Sequence, residues 1–161
     1  RGEEFVTRKI TKALSRIKLG LQEKLELGNL DAKRDWGFAG DYVKAMELMI
    51  SAKKADDYVV ATGQTYSIRE FIKTACYFLD IKPVFVGKGL NEVCYDRSNK
   101  KKLIIIDKKY FRENELHRLK GDPSKIMKDL KWKKTYNFKD LVEHMVKKEV
   151  DYFHNEKKII F

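Results

Sequence analysis

The chain alternates segments of helical periodicity with short apolar runs, and this alternation limits the folds open to it. Residues 3–19 place apolar side chains every three or four positions and end at Gly20, which is typical of an amphipathic helix closed by a glycine. Short apolar runs follow at 25–27, 58–61, 83–86 and 103–106. We therefore predict an α/β chain in which helices accompany a small sheet of short strands.

Polar residues mark where the later helices begin. Ser67 and Glu70 have the spacing of a capping box, in which each side chain accepts the backbone N–H of the other residue. Asp122 predicts an N-cap, with Pro123 at the first helical position, and Asn137 predicts the N-cap of the last helix.

Two more segments complete the prediction. A second helix is expected over 39–50, a polar loop over 87–101, and a basic tail after the last helix. The apolar face of the second helix is predicted to consist of Ala39, Tyr42, Val43, Met46, Met49 and Ile50.

Composition favours one compact domain with anionic partners. The 161 residues are 43% hydrophobic, which is enough for a core, and the formal net charge is +11. Such a charge favours anionic partners, whether nucleic acid, phosphorylated metabolites or acidic surfaces, and does not choose among them. The basic run at 97–102 has no aromatic interleaving, so we interpret it as a solvated loop rather than a nucleic-acid patch.

Several functional classes are disfavoured. The chain has none of the motifs G-x-G-x-x-G, G-x-x-x-x-G-K-[ST], G-x-S-x-G or H-E-x-x-H, and we predict no catalytic residue and no metal site in it. Cys76 and Cys94 lack C-x-x-C spacing, and Cys76 is expected in the core. No apolar run approaches a membrane span and no leader pattern is seen, so we expect no membrane partner and a cytoplasmic protein.

The segment 27–37 is the strongest indication of a ligand. It runs from an apolar stretch into a glycine turn and then into Lys33, Arg34, Asp35 and Trp36, which is more charge than a chain reversal needs. The planar fork of an arginine suits a diphosphate. The alternative is a structural ion pair of Arg34 with Asp31 or Asp35. Trp36 is expected to be a packing anchor.

Two other cations are placed for binding. Arg34 and Arg112 are each predicted to lie in a polar-aromatic turn after a strand, where α/β sheets deliver ligand-binding groups. Lys9 lies beside the apolar stripe of the first helix and could reach past the core edge. Its alternative role is that of a solvated helix face. The three histidines, His117, His144 and His154, are predicted to have no function.

The order of motifs resembles the C-terminal part of the GDP-mannose 4,6-dehydratase family, within the extended short-chain dehydrogenases/reductases. The matching strings, which cover essentially the whole chain, are RGEEFVTRKIT (1–11), LGNLDAKRDWG (27–37), DYV (41–43), ATG (61–63), SIREF (67–71), NEV (91–93), KYFR (109–112) and GDPSK (121–125).

The resemblance implies a fold and a function. Residues 1–161 would form the substrate-binding domain that closes over a GDP-sugar, and an upstream Rossmann half, expected to be absent here, would hold NADP and the catalytic residues. One or two strands, 25–27 or 58–61, would pair with that missing sheet. The implied reaction converts GDP-mannose to GDP-4-dehydro-6-deoxy-mannose and water, and the full-length enzyme is expected to be a homo-oligomer.

The resemblance also assigns binding roles to individual residues. Val6 and Lys9 would lie by the nucleotide, Arg34 and Arg112 would contact the diphosphate, and Glu115 would accept a hydrogen bond from the ribose. Arg1 matches a position that touches NADP.

Some positions depart from the family pattern. Glu113, Asn114 and His117 stand in a stretch that usually continues Pro-Thr-Glu-Val-Asp after the arginine, and Phe38 stands where a histidine is common. These departures leave a related GDP-sugar open as the substrate. Two other functions remain as alternatives: a non-catalytic sugar-nucleotide binding or assembly module, and a basic nucleic-acid binder.

Overall fold

A computed structural model describes residues 2–111 and 116–159, and within them the chain forms five α-helices and seven short strands. The helices are α1 (Val6–Lys18), α2 (Ala39–Ile50), α3 (Ile68–Phe78), α4 (Ser124–Asp129) and α5 (Phe138–Ile159). The strands are β1 (Leu25–Leu27), β2 (Lys33–Arg34), β3 (Tyr66–Ser67), β4 (Pro83–Val86), β5 (Val93–Asp96), β6 (Lys102–Ile106) and β7 (Arg118–Leu119). The α/β prediction is confirmed.

The strands form two sheets. The larger has the order β1-β6-β5-β4, in which β1 and β6 are parallel and the other pairs are antiparallel. The smaller has the order β3-β2-β7, with β2 antiparallel to β3 and parallel to β7. Strand β2 is therefore held from both sides.

The main core lies between the larger sheet and helices α1, α3 and α5. Ile10, Phe71, Ile104 and Val142 are fully or almost fully buried in it. A second, smaller cluster forms around Trp132, with Ala45 and Ile126 buried beside it. Since α1, α3 and α5 all bury apolar side chains in the same core, the elements that border the site are fixed to one framework.

Most of the predicted signals for helix ends are confirmed by the structure. Gly20 follows α1 with a φ of +73°, a conformation that favours glycine. The Ser67 and Glu70 capping box forms in full at the start of α3. Its backbone and side-chain hydrogen bonds from Ser67 lower the pKa of the Glu70 carboxyl. Asn137 Oδ1 accepts from the Asp140 N–H at 3.0 Å, which caps α5 as predicted.

Two helix boundaries differ from the prediction. Asp122 does not act as the N-cap residue of α4; the helix begins at Ser124, and Asp122 instead accepts from the Ser124 N–H at 3.0 Å. The expected basic tail is helical, because residues 151–159 contain neither the glycine nor the proline that would end α5.

One strand prediction is corrected and another is confirmed. Residues 58–61 are not a strand in the described structure; Tyr58 and Val60 instead pack against the cluster around Trp132. Residues 25–27 form strand β1, which pairs with β6 and lies at the edge of the larger sheet. The pairing of such a strand with a sheet outside this chain stays a prediction.

The predicted loop at 87–101 contains a strand. Strand β5 alternates buried and partly exposed positions, and its polar Asp96 is buried with its carboxylate accepting from the Ser98 N–H at 2.9 Å. The segment was predicted to be a loop because it is rich in polar residues. Some of these residues are buried and form hydrogen bonds within the protein, so the segment can still form a strand.

The predicted apolar face of α2 is largely exposed. Val43 is 63%, Met46 54% and Ile50 86% exposed, whereas the helix packs through Ala45 against the cluster around Trp132. Val43, Met46 and Ile50 therefore point away from the described core, whereas Tyr42 and Met49 of the predicted face pack against the cluster around Trp132.

Candidate functional site

The carboxyl ends of β1 and β6 lie side by side. Leu27 is opposite Ile106 in the parallel register, and the Asp107 N–H donates to the Leu27 carbonyl at 2.9 Å. The chain leaves both strands at the same edge, where open α/β sheets bind ligands. The two segments from which the sequence predicts binding, 27–37 and 109–115, start from this edge.

Gly28 allows a close backbone approach at this edge. A Cβ atom on Gly28 would lie 2.0 Å from the Tyr110 carbonyl oxygen and 3.2 Å from the Phe111 nitrogen. No side chain fits in that space without displacing backbone. Asp107 also accepts from the Lys109 N–H at 2.8 Å, which fixes the short 3₁₀ turn Lys108–Tyr110.

Lys9 reaches this turn from α1. Its Nζ lies 3.6 Å from the centroid of the Tyr110 ring. The prediction that Lys9 extends past the core edge is confirmed, and the alternative of a wholly solvated side chain is not what the structure shows. Lys9 and Val6 lie one helical turn apart on α1, so they are neighbours on its surface.

Arg34 lies in strand β2, not in a turn as predicted. Its Nη1 donates to the Leu116 carbonyl at 2.7 Å and to the Lys33 carbonyl at 2.8 Å. The Lys33 N–H donates to the His117 carbonyl at 2.8 Å. Pairing with β3 and β7 explains the strand, and it brings Arg34 next to the segment that follows Glu115.

The two carboxylates considered as partners of Arg34 are bound by other groups. Asp31 accepts from Arg69 Nη2 at 2.8 Å. Asp35 accepts from the Thr62 N–H at 2.9 Å and from the Gly63 N–H at 3.0 Å. Both acids therefore serve to hold the ends of the segment around β2.

Arg69 fixes the turn before β2 from the first turn of α3. It forms a two-pronged ion pair with the nearly buried Glu92, with Nη2 3.0 Å from Oε2, and also binds Asp31. The hydrogen bond with Glu92 raises the pKa of Arg69 above its ordinary value. Its backbone N–H donates to the Leu30 carbonyl at 2.9 Å.

Val6 and Arg34 line one cleft of about 720 Å³. Small-molecule sites commonly have volumes of this order. Leu119, Met145 and Trp36 form part of its apolar wall, whereas Lys9 is not in the wall. The structure thus brings Val6 and Arg34 into one cleft and places Lys9 at Tyr110.

Trp36 is a packing anchor, as predicted. Its ring meets Phe71 edge to face at 5.3 Å between centroids and stacks near Phe138 at 6.2 Å. These contacts attach the segment after β2 to the main core.

Three of the expected binding residues, Arg1, Arg112 and Glu115, lie outside the described residues. So do Glu113 and Asn114, two of the departures from the family pattern.

Tyr110 was missed by the sequence analysis as a site residue. The available signal was its place in the string KYFR, directly after an apolar strand and two residues before an arginine. The distance between the Tyr110 ring and Lys9 could not be predicted from the sequence, because it depends on how α1 packs beside the turn.

The described residues contain no group of three His, Cys, Asp or Glu side chains placed to hold a metal ion. Cys76 and Cys94 are free and buried, and burial raises the pKa of the Cys94 thiol to about 12. Across 2–111 and 116–159, no helix combines the length and the apolar character needed to cross a bilayer.

Comparison with known proteins identifies the family. The family model described as GDP-mannose 4,6 dehydratase matches residues 1–145. The chain belongs to the GDP-mannose 4,6-dehydratase family. GDP-mannose 4,6 dehydratase 1 of Arabidopsis thaliana is 49% identical over 98% of this chain, and the Homo sapiens GDP-mannose 4,6 dehydratase is 43% identical over 94% of it. The chain spans 39% and 41%, respectively, of the length of these relatives.

A solved structure supports the fold. RMD from Pseudomonas aeruginosa, solved in complex with NADPH, superposes with a TM-score of 0.75 at 22% identity, over 94% of this chain and 44% of that protein. The fold expected for the C-terminal portion of an extended short-chain dehydrogenase/reductase is confirmed.

Proposed function

We propose that this chain is the GDP-sugar-binding part of an NADP-dependent GDP-mannose 4,6-dehydratase. The observations that carry the proposal are the contact of Lys9 with the Tyr110 ring and the hydrogen bond of Arg34 to the Leu116 carbonyl, in a chain of this family. The proposed reaction oxidises C4 of the mannose ring, eliminates water across C5 and C6, and returns the hydride to C6.

The chain's own contribution is to bind and orient the nucleotide. Arg34 offers a planar guanidinium at the wall of the cleft, and Lys9, one helical turn after Val6, offers an ammonium beside the Tyr110 ring. Arg112 and Glu115 are proposed, from the family resemblance, to add a diphosphate contact and a ribose acceptor.

The remaining part of the reaction belongs to residues outside this chain. NADP, when bound, supplies the acceptor and donor of the hydride, and Arg1 is proposed to touch it. No residue of this chain is assigned a catalytic role. A related GDP-sugar as substrate remains the second possibility within this proposal.

We also propose that the rest of the parent enzyme covers the exposed face of α2. Val43, Met46 and Ile50 form an exposed apolar stripe, and Val59 nearby in the chain is 55% exposed in an extended segment without a strand neighbour in the described structure. Such surfaces mark interaction sites. We expect the full-length enzyme to be a homo-oligomer whose subunits contain this domain with the α2 face covered.

Arg34→Ala tests the binding proposal. Because hydrogen bonds to charged groups contribute about 1.5–3 kcal/mol, we expect the affinity for GDP to fall by about 10- to 100-fold in isothermal calorimetry. Arg34→Lys should show an intermediate loss, because it keeps the charge but not the planar fork.

Arg97→Ala is the matched control, since Arg97 is an exposed arginine in the hairpin at the opposite end of β6. Its affinity for GDP should equal that of the unsubstituted chain. Equal losses in both variants would mean that only net charge matters and would favour the nucleic-acid alternative. Absence of GDP binding by the unsubstituted chain would reject the proposal.

A further inference from the structure

Tyr110 presents an aromatic ring at the site with no aromatic neighbour among the described residues. The other rings of this region pack on one another: Trp36 on Phe71, Phe38 on Tyr136 at 4.2 Å, and Tyr66 on Phe138 at 3.8 Å. Tyr110 is 41% exposed, and its recorded ring contacts are with ammonium groups. Its ring is therefore available to a flat ligand in a way that the rings of Trp36, Phe38 and Tyr66 are not.

The backbone that carries the Tyr110 ring is fixed. The Tyr110 N–H donates to the Asp107 carbonyl at 3.0 Å, and the Phe111 N–H donates to the Lys108 carbonyl at 3.1 Å. The backbone of Gly28 lies close to the Tyr110 carbonyl, where a Cβ atom would not fit. Because the turn is already ordered, only the side-chain torsions of Tyr110 remain to be fixed when a ligand binds.

One face of the ring carries the Lys9 ammonium, 3.6 Å from the centroid. The Lys109 ammonium lies farther away, at 5.6 Å. An exposed cation–π contact is weak, whereas stacking of a nucleobase on an aromatic ring is stronger. Exchange of the ammonium for a base is therefore favourable, and it releases a cation beside the place where phosphates would arrive.

We propose that Tyr110 is the stacking platform for the nucleobase of a nucleoside diphosphate, and that Lys9 leaves the ring for the phosphates when the base binds. This inference rests on the proposed function, since it adds a base-binding residue to the same site. It assigns the base to a residue from the turn after β6 and not to Trp36.

Tyr110→Leu tests the platform. Loss of base stacking should weaken GDP binding about tenfold in calorimetry, while the affinity for inorganic pyrophosphate stays within twofold. Tyr110→Phe should bind GDP within twofold of the unsubstituted chain, because the ring face remains. Tyr77→Leu is the matched control: Tyr77 is 67% exposed on α3 and also has a lysine ammonium, that of Lys139, at 4.9 Å.

A second measurement does not depend on any variant. Ring current from Tyr110 should shift the Lys9 ε-methylene protons upfield in the free chain, and the shift should disappear at saturating GDP. Persistence of that shift would overturn the proposal, as would unchanged GDP affinity in Tyr110→Leu while Arg34→Ala weakens binding. A parallel loss of pyrophosphate affinity in Tyr110→Leu would also overturn it. If the unsubstituted chain binds no GDP, the proposed function fails together with this inference.

Discussion

Replacing Arg69 by methionine is expected to lower the free energy of unfolding by about 3–5 kcal/mol, because it leaves a buried carboxylate without its partner. The side chain of Glu92 is only 8% exposed and depends on the Arg69 guanidinium. The same substitution also removes the bond to Asp31 that holds the turn before β2. Urea unfolding followed by circular dichroism measures the loss.

Two control variants distinguish the effect of leaving a buried charge unpaired from the effect of losing an ion pair in general. In the double variant Arg69→Met/Glu92→Leu most of the stability should return, since no buried charge is left unpaired. Lys125→Met breaks an exposed pair between Lys125 and Asp56, whose side chains are 47% and 45% exposed, and should change the free energy of unfolding far less than Arg69→Met does. Equal losses for Arg69→Met and Lys125→Met would show that the Glu92 pair is not a structural tie.

Asp41→Ala is the second substitution with a large expected effect. It should lower the free energy of unfolding by about 2–4 kcal/mol. The Asp41 side chain is buried and accepts from the Thr135 N–H at 2.9 Å, the Tyr136 N–H at 3.2 Å and the Thr135 hydroxyl at 2.6 Å. Alanine would leave these donors without a partner. Thermal and urea unfolding of the variant would measure the decrease.

Asp140→Ala provides the comparison for Asp41. Asp140 accepts from one exposed N–H at the start of α5, so its loss should cost about 1 kcal/mol. If Asp41→Ala proved no more destabilising than Asp140→Ala, the attachment of α2 to the connection before α5 would be of minor importance.

Local signals in the sequence predicted much of the fold. The capping box at Ser67, the N-cap at Asn137 and the glycine after α1 depend on a few adjacent residues, and all three are present in the structure. Strand β5 was missed because it is only four residues long and follows directly on the polar Glu92, whose carboxylate is satisfied by Arg69 of α3. Such pairing across the fold leaves no periodic signal.

The sequence predicted Lys9 and Arg34 as candidate binding residues but not how they are placed. Both were recognised from helix position, charge and family resemblance. Strand β2, however, exists because two distant segments pair with it. Tyr110 was missed because its place at the site depends on two tertiary contacts, one with Lys9 of α1 and one with the backbone of Gly28.

The central claim is that a nucleoside diphosphate binds at the edge formed by α1, β2 and the turn after β6. An amide-resolved NMR titration of the ¹⁵N-labelled chain with GDP tests it most directly. The account predicts chemical-shift changes concentrated at Val6, Lys9, Arg34 and 108–111, with the hairpin at 97–101 unchanged. Changes confined to that basic hairpin, or no changes at millimolar GDP, would contradict it.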